Sequence, residues 1–175
     1  MDGARLGYGL MCKENDLTLS DITANTDVFY IGGTKVGALF GEAVVIRNEE
    51  LKKDFRYNIK QRGGMLAKGR LLGIQFLTLF EENRYFDISA HAAQLAEKLK
   101  DELTKMGVKF YIDSPTNQQF PILPDAVLAE LKKKYSFAYQ ERMDETHSAV
   151  RFCTCWATKE ENVDMLLADI RELLA

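Results

Sequence analysis

The sequence predicts an α/β protein whose C-terminal part is a small unit of helices packed on a small, mainly antiparallel sheet. Three observations carry that reading. Short apolar runs that stop at glycine or polar turns, such as "DVFYIGG" and "VKFYI", are strand signals. Two stretches repeat apolar residues at three- and four-residue spacing, which is the helical period. Strand and helix signals alternate from about residue 85 onward, with no repeat, low-complexity tract or long linker between them. The chain has 175 residues, 46% of them hydrophobic and 28% charged, enough to bury a core as one domain or one and a half. Its net charge of -3 gives no global pull toward nucleic acid or an anionic membrane.

Taken in order, "MDGARLGYGL" opens on an acid and a glycine, as if a strand had just ended. "ITANTDVFYIGGTK" reads as a buried strand through Val28, Phe29, Tyr30 and Ile31 that runs into a Gly-Gly turn, and "GALFGEAVVI" reads as a second strand. Helical segments follow, broken at Gly63 and Gly64, and then an apolar helix through Leu71, Leu72, Phe76, Leu79 and Phe80. Ile88, Ala92, Leu95, Leu99, Leu103 and Met106 mark a long amphipathic helix that Gly107 ends. "VKFYI" alternates Val108, Phe110 and Ile112; "QQFPIL" follows the "DSPTN" turn; Pro124 opens a short helix that ends in Lys132 to Lys134. "SFAYQE" and "SAVRFCTCW" are the last strands. Thr158 with Glu161 is expected to form a capping box for a final helix through Val163, Leu166, Leu167, Ile170 and Leu173.

Cys12, Cys153 and Cys155 lack zinc-type spacing and are odd in number, which predicts a reducing, cytoplasmic setting and no metal site. No apolar run reaches the roughly 18 to 20 residues of a membrane span, and the N-terminus lacks the pattern of a signal peptide. His91 reads as a surface or packing residue, His147 as a turn histidine and Trp156 as a packing residue.

Lys35 is the residue that composition does not explain, because it sits in the apolar, glycine-rich passage "DVFYIGGTKVGALFGEAVVI". A solvated lysine on a hairpin turn is one reading. The other is a desolvated lysine whose amine forms a Schiff base, with Gly32, Gly33 and Gly37 admitting a flat ligand and Thr34 offering a hydroxyl to a phosphate. Pyridoxal phosphate would also need a carboxylate at its ring nitrogen, and Asp2 is the candidate, its alternative being a terminal turn residue. Arg151 lies between Val150 and Phe152 in an apolar strand, where a guanidinium needs a carboxylate partner unless it lies on the polar face.

Five blocks, "DGARL", "DVFYIGGTKVGALFGEAVVI", "LKKDFRYNIKQRGGMLAKGRLLGIQF", "SPTNQQFPILP" and "HSAVRFCTCWAT", together resemble the threonine aldolase and β-eliminating lyase family of fold-type I pyridoxal-phosphate enzymes. The resemblance runs in order over essentially the whole chain. It implies that Lys35 carries the cofactor, that Asp2 pairs with its ring nitrogen, that Arg5 and Thr34 lie near it, and that Arg151, with Arg5, binds the substrate carboxylate. It departs from some relatives after Gly-Gly-Met, where Leu66 replaces an arginine that reaches the cofactor phosphate. Lys60, Arg62, Lys68 and Arg70 are the candidates to substitute, and a solvated basic helix face is the other reading of them.

The same resemblance implies that residues 1–84 are the C-terminal part of the large cofactor-binding domain and 85–175 the small domain. The glycine-rich phosphate cradle and the ring-stacking histidine of the N-terminal half are absent, so a fragment inactive alone is expected. For the complete protein it implies cleavage of threonine or allo-threonine to glycine and an aldehyde by a homodimer or homotetramer. The alternatives are β-elimination from an aromatic or sulfur amino acid and a non-catalytic oligomerisation fragment. Tryptophanase-like members tend to carry a basic residue after the cofactor lysine, and Val36 in that place favours the aldolase.

Overall fold

The strand expected at Val28 to Ile31 is β1 (Val28–Gly32) in the computed structural model, which describes residues 1–175. It pairs antiparallel with β2 (Glu42–Ile46), Val28 opposite Ile46 and Gly32 opposite Glu42. β2 begins five residues later than "GALFGEAVVI" suggests, because Gly37 and Gly41 take left-handed conformations, φ 91° and 93°, that keep the intervening chain out of the ladder. Before β1 come two helices that the sequence reading missed, α1 (Leu6–Leu10) and α2 (Leu19–Asn25). Thr18 caps α2 through a capping box with Asp21, whose shorter side chain stands where the usual signature has Glu or Gln.

The opening residues run beside β1. The Met1 ammonium donates to the Val28 carbonyl at 2.8 Å and the Gly32 N–H donates to the Gly3 carbonyl at 2.9 Å, so residues 1–3 travel in the direction of β1. Only glycine fits at position 3, since a Cβ there would lie 1.7 Å from the Tyr30 carbonyl oxygen. Three helices follow β2: α3 (Glu49–Lys52), α4 (Phe55–Gln61) and α5 (Arg70–Phe80). Gly63, at φ 74°, breaks the helical run after α4. Leu71, Ile74 and Leu77 of α5, three residues apart, are 46%, 53% and 62% exposed. Residues 1–11 and 15–89 form one compact unit, and residues 12–14 and 90–175 a second.

The second unit contains most of α6 (Arg84–Lys105), then β3 (Phe110–Ile112), β4 (Gln118–Pro124), α7 (Asp125–Leu131), β5 (Ala138–Arg142), β6 (His147–Cys153) and α8 (Glu160–Leu174). Its four-stranded sheet has the order β3-β4-β6-β5, antiparallel throughout. β3 is shorter than "VKFYI" and carries an irregularity between Phe110 and Ile112. Leu99 and Leu103 of α6, Leu131 of α7 and Ile170 of α8 are buried with Leu123 of β4 and Val150 of β6 in one core. Burying each such side chain contributes roughly 1.5–3 kcal/mol, which is what joins the helices to the sheet. Gly107, at φ 81°, ends α6 as its position predicts.

The capping box expected at Thr158 and Glu161 is not formed. Lys159 is the N-cap of α8 and makes no side-chain cap. The Thr158 hydroxyl instead accepts the Cys155 N–H at 2.8 Å, closing the turn between β6 and α8.

Candidate functional site

Lys35 lies on the turn that leaves β1, and the main chain of that turn is fixed from several sides. The Val36 and Ala38 N–H groups both donate to the Gly33 carbonyl, at 2.9 and 3.0 Å, and the Gly33 N–H donates to Glu42 Oε2 at 3.2 Å. Two tyrosines distant in sequence hold the ends. The Tyr8 hydroxyl donates to the Lys35 carbonyl. The Tyr85 hydroxyl accepts the Gly7 N–H and donates to the Gly32 carbonyl, both at 3.1 Å. Tyr85 is wholly buried, and burial pushes its phenol up to about 12, so it stays protonated as a donor. Val36 is also wholly buried and plugs the turn into the interior.

The side chains of Thr34 and Lys35 are exposed, so within this chain Lys35 lacks the desolvated surroundings expected of it. The reason is geometric: Val36 takes the inward position and the two residues before it face outward. Asp2 is exposed as well. Its Oδ1 accepts the Tyr30 hydroxyl and, at 2.9 Å, the Ala4 N–H, while Oδ2 has no partner. Foremost the Tyr30 bond, then the Ala4 bond and the positive charges of Lys35 and the N-terminus, hold this carboxyl below the usual carboxylate range. The same bond raises the Tyr30 phenol. Asp2 and Lys35, 33 positions apart in sequence, thus lie within electrostatic reach of each other. Arg5 follows at the N-cap position of α1, half-buried and without an ion pair.

In the second unit, Arg151 stands on β6 opposite Ala138 of β5. Its neighbours Val150 and Phe152 are buried in the core with the helices, so Arg151 occupies the other face of the sheet. No carboxylate of this chain pairs with it, and its Nε is buried without an acceptor. The strand end next to it is pinned: Asn117 donates to the Thr154 carbonyl at 2.7 Å, and Thr154 returns its N–H to the Asn117 carbonyl at 3.0 Å.

Lys60, Arg62, Lys68 and Arg70 are all exposed, at or beyond the end of α4 and at the start of α5. His91 lies 2.8 Å from the Thr158 carbonyl, and His147 closes the β5–β6 turn with Asp144 and Thr146. Sequence reasoning overlooked Tyr8, Tyr30 and Tyr85. Each acts across 27 or more positions, and no local pattern marks such a contact.

No family model matches the chain. A low specificity L-threonine aldolase of Pseudomonas sp. (strain NCIMB 10558) is 32% identical over the full chain, which covers 50% of that protein. The solved structure of Leishmania major threonine aldolase superposes with a TM-score of 0.97 at 43% identity, over 99% of this chain and 51% of that one. Sphingomonas wittichii serine palmitoyltransferase, 16% identical with a TM-score of 0.66, covers 98% of this chain and 45% of its own, and shows the fold alone. The chain therefore spans about half the length of the relatives it matches, and the fold-type I α/β class expected from its sequence is the observed one. By sequence and by fold, it corresponds to the C-terminal half of a protein of the threonine aldolase family.

Proposed function

We propose that the complete protein is a pyridoxal-phosphate-dependent carbon–carbon lyase of the threonine aldolase type, cleaving threonine or allo-threonine to glycine and an aldehyde, and that this chain supplies its lysine, its ring-nitrogen carboxylate and its carboxylate-binding arginine. The observation that carries the reading is one turn that presents the exposed Lys35 amine on a main chain fixed by Tyr8 and Tyr85, in the same compact unit as an Asp2 carboxylate whose Oδ1 is held by Tyr30 and Ala4. The aldolase names of the relatives in Pseudomonas and Leishmania support it. On this reading residues 1–84 are the remainder of the large cofactor-binding domain and 85–175 the small domain.

The residues present fit the cofactor. Lys35 is exposed on a main chain already fixed, Asp2 keeps Oδ2 open, and the enclosed Nε of Arg151 lacks any acceptor within this chain. Pyridoxal phosphate, when bound, supplies the electron sink that accepts the pair released as the Cα–Cβ bond breaks. Lys35 binds it covalently, Thr34 contributes a hydroxyl and Arg5 lies near it. Asp2 holds the proton of the ring nitrogen in place by its charge. Arg151, with Arg5, takes the substrate carboxylate through paired N–H donors and fixes the orientation of the bond to be broken. The aldolase reading is favoured over β-elimination by Val36, which stands wholly buried where tryptophanase-like members tend to carry a basic residue. The exposed apolar row on α5 supports a homodimer or homotetramer, and an odd number of cysteines without zinc-type spacing supports a reducing, cytoplasmic setting.

The test is direct. Mixing the chain with pyridoxal phosphate, reducing with borohydride and mapping peptides is expected to place the pyridoxyl group on Lys35, and a label spread over surface lysines would refute the cofactor role. In the complete protein, glycine and acetaldehyde from threonine are the expected products, whereas ammonia and a keto acid would assign β-elimination.

A further inference from the structure

Tyr30 belongs to no role assigned so far, yet it is the strongest influence on Asp2. It lies on β1 opposite Val44 of β2, half-buried, while residues 1–3 run alongside it. That path is narrow: Gly3 admits no side chain against the Tyr30 carbonyl, and Gly32 admits none against Ala4, whose carbonyl oxygen would lie 2.4 Å from a Cβ. The backbone of Asp2 is therefore fixed relative to the tyrosine on its neighbouring strand. Its side chain is fixed too, because Oδ1 receives two donors, one from the Tyr30 hydroxyl and one from the Ala4 N–H.

We propose that Tyr30 is a positioning residue: with the Ala4 N–H it occupies Oδ1 of Asp2 and leaves Oδ2 as the oxygen offered to the cofactor's ring nitrogen. The inference rests on the assignment of Asp2 to that nitrogen. A carboxylate on the end of a single Cα–Cβ bond rotates freely when exposed, and one that must meet a fixed N–H gains from a partner that removes the rotation beforehand. The Tyr30 hydroxyl donates to the ionised form and so favours it, in the same sense as the positive charges of Lys35 and the N-terminus. Glu42 adds to the rise of the Tyr30 phenol, which keeps that group a donor across the neutral range.

Two measurements on the full chain test this and separate it from the cofactor assignment. The first is a carbon-13 NMR titration of the Asp2 carboxyl without cofactor. Wild type is expected to titrate below the ordinary carboxylate range, and Tyr30→Phe, which removes only the hydroxyl, to shift the midpoint upward; an unmoved midpoint overturns the proposal. The second follows ring-nitrogen protonation by absorbance after the pyridoxyl group has been reduced onto the chain. With the group on Lys35, the nitrogen is expected to hold its proton to higher pH than in free pyridoxyl-lysine, to lose that advantage in Asp2→Asn, and to keep part of it in Tyr30→Phe. A wild-type midpoint in Tyr30→Phe overturns the positioning role alone. No change in Asp2→Asn, or a label away from Lys35, overturns the cofactor assignment and the positioning role together.

Discussion

Arg151 is the residue whose surroundings demand something the chain does not contain. Its strand neighbours are core residues, its Nε is enclosed, and no carboxylate answers it. An arginine so placed loses hydration without recovering a hydrogen bond, which costs on the order of 1–3 kcal/mol until a partner arrives. In the complete protein, Arg151→Ala is expected to raise KM for the amino acid by roughly 10- to 100-fold, the equivalent of one charge-assisted hydrogen-bonded contact, while leaving cofactor affinity near wild type. Steady-state kinetics beside a cofactor titration check this; an unchanged KM removes Arg151 from the carboxylate role. The sequence already flagged this arginine, because a charge between Val150 and Phe152 is anomalous at any distance from its partner. It could not flag Tyr30, whose importance lies in a bond to a residue 28 positions away.

Elements with a repeating pattern were legible, and those set by a single turn or cap were not. The spacing from Ile88 to Met106 announces α6, since burial on one face writes itself into the sequence at a fixed period, and the apolar run of "SAVRFCTCW" announces β6, whose Ala149, Val150 and Phe152 are buried. α1 has five residues and α2 seven, too few to establish a period. α2 depends instead on its cap, where Thr18 accepts the Asp21 N–H and Asp21 returns its carboxylate to the Thr18 N–H at 2.8 Å. Thr18→Ala is expected to destabilise the first unit by about 1 kcal/mol, measured as a lower urea midpoint with unchanged m-value. The supposed box at Thr158 had the right letters and the wrong geometry, because its hydroxyl was already engaged by the preceding turn. Motif letters state what a side chain can do; the neighbouring backbone decides which of its bonds is made.

Across the whole molecule, depressed carboxyls are spread over both units: Asp2 and Asp21 in one, Glu102, Asp125, Asp144 and Asp169 in the other. Asp144 is the extreme, held at about 2, chiefly by the Thr146 N–H and then by His147. A group whose folded pKa lies below its unfolded value stabilises the fold fully above the unfolded pKa, and that contribution disappears as pH falls through the folded one. Stability is therefore expected to be level near neutrality and to decline from about pH 4 toward 2, which circular dichroism melts at stepped pH will follow. A flat profile down to pH 2 would mean that these bonds persist in the unfolded chain. At this scale the sequence was informative about halves rather than surfaces, since no period in α5 distinguishes Leu79, which is buried, from Leu77, which is not. The tyrosine clamp on the Lys35 turn has a consequence of another kind. A trypsin-like protease cuts after lysine only where the surrounding chain can leave the fold and lie extended in its cleft. Lys35 presents the required side chain to solvent, but Tyr8 holds its carbonyl and Tyr85 holds that of Gly32, three residues before it. The side chain that chemistry offers to such a protease is thereby held back by its own backbone.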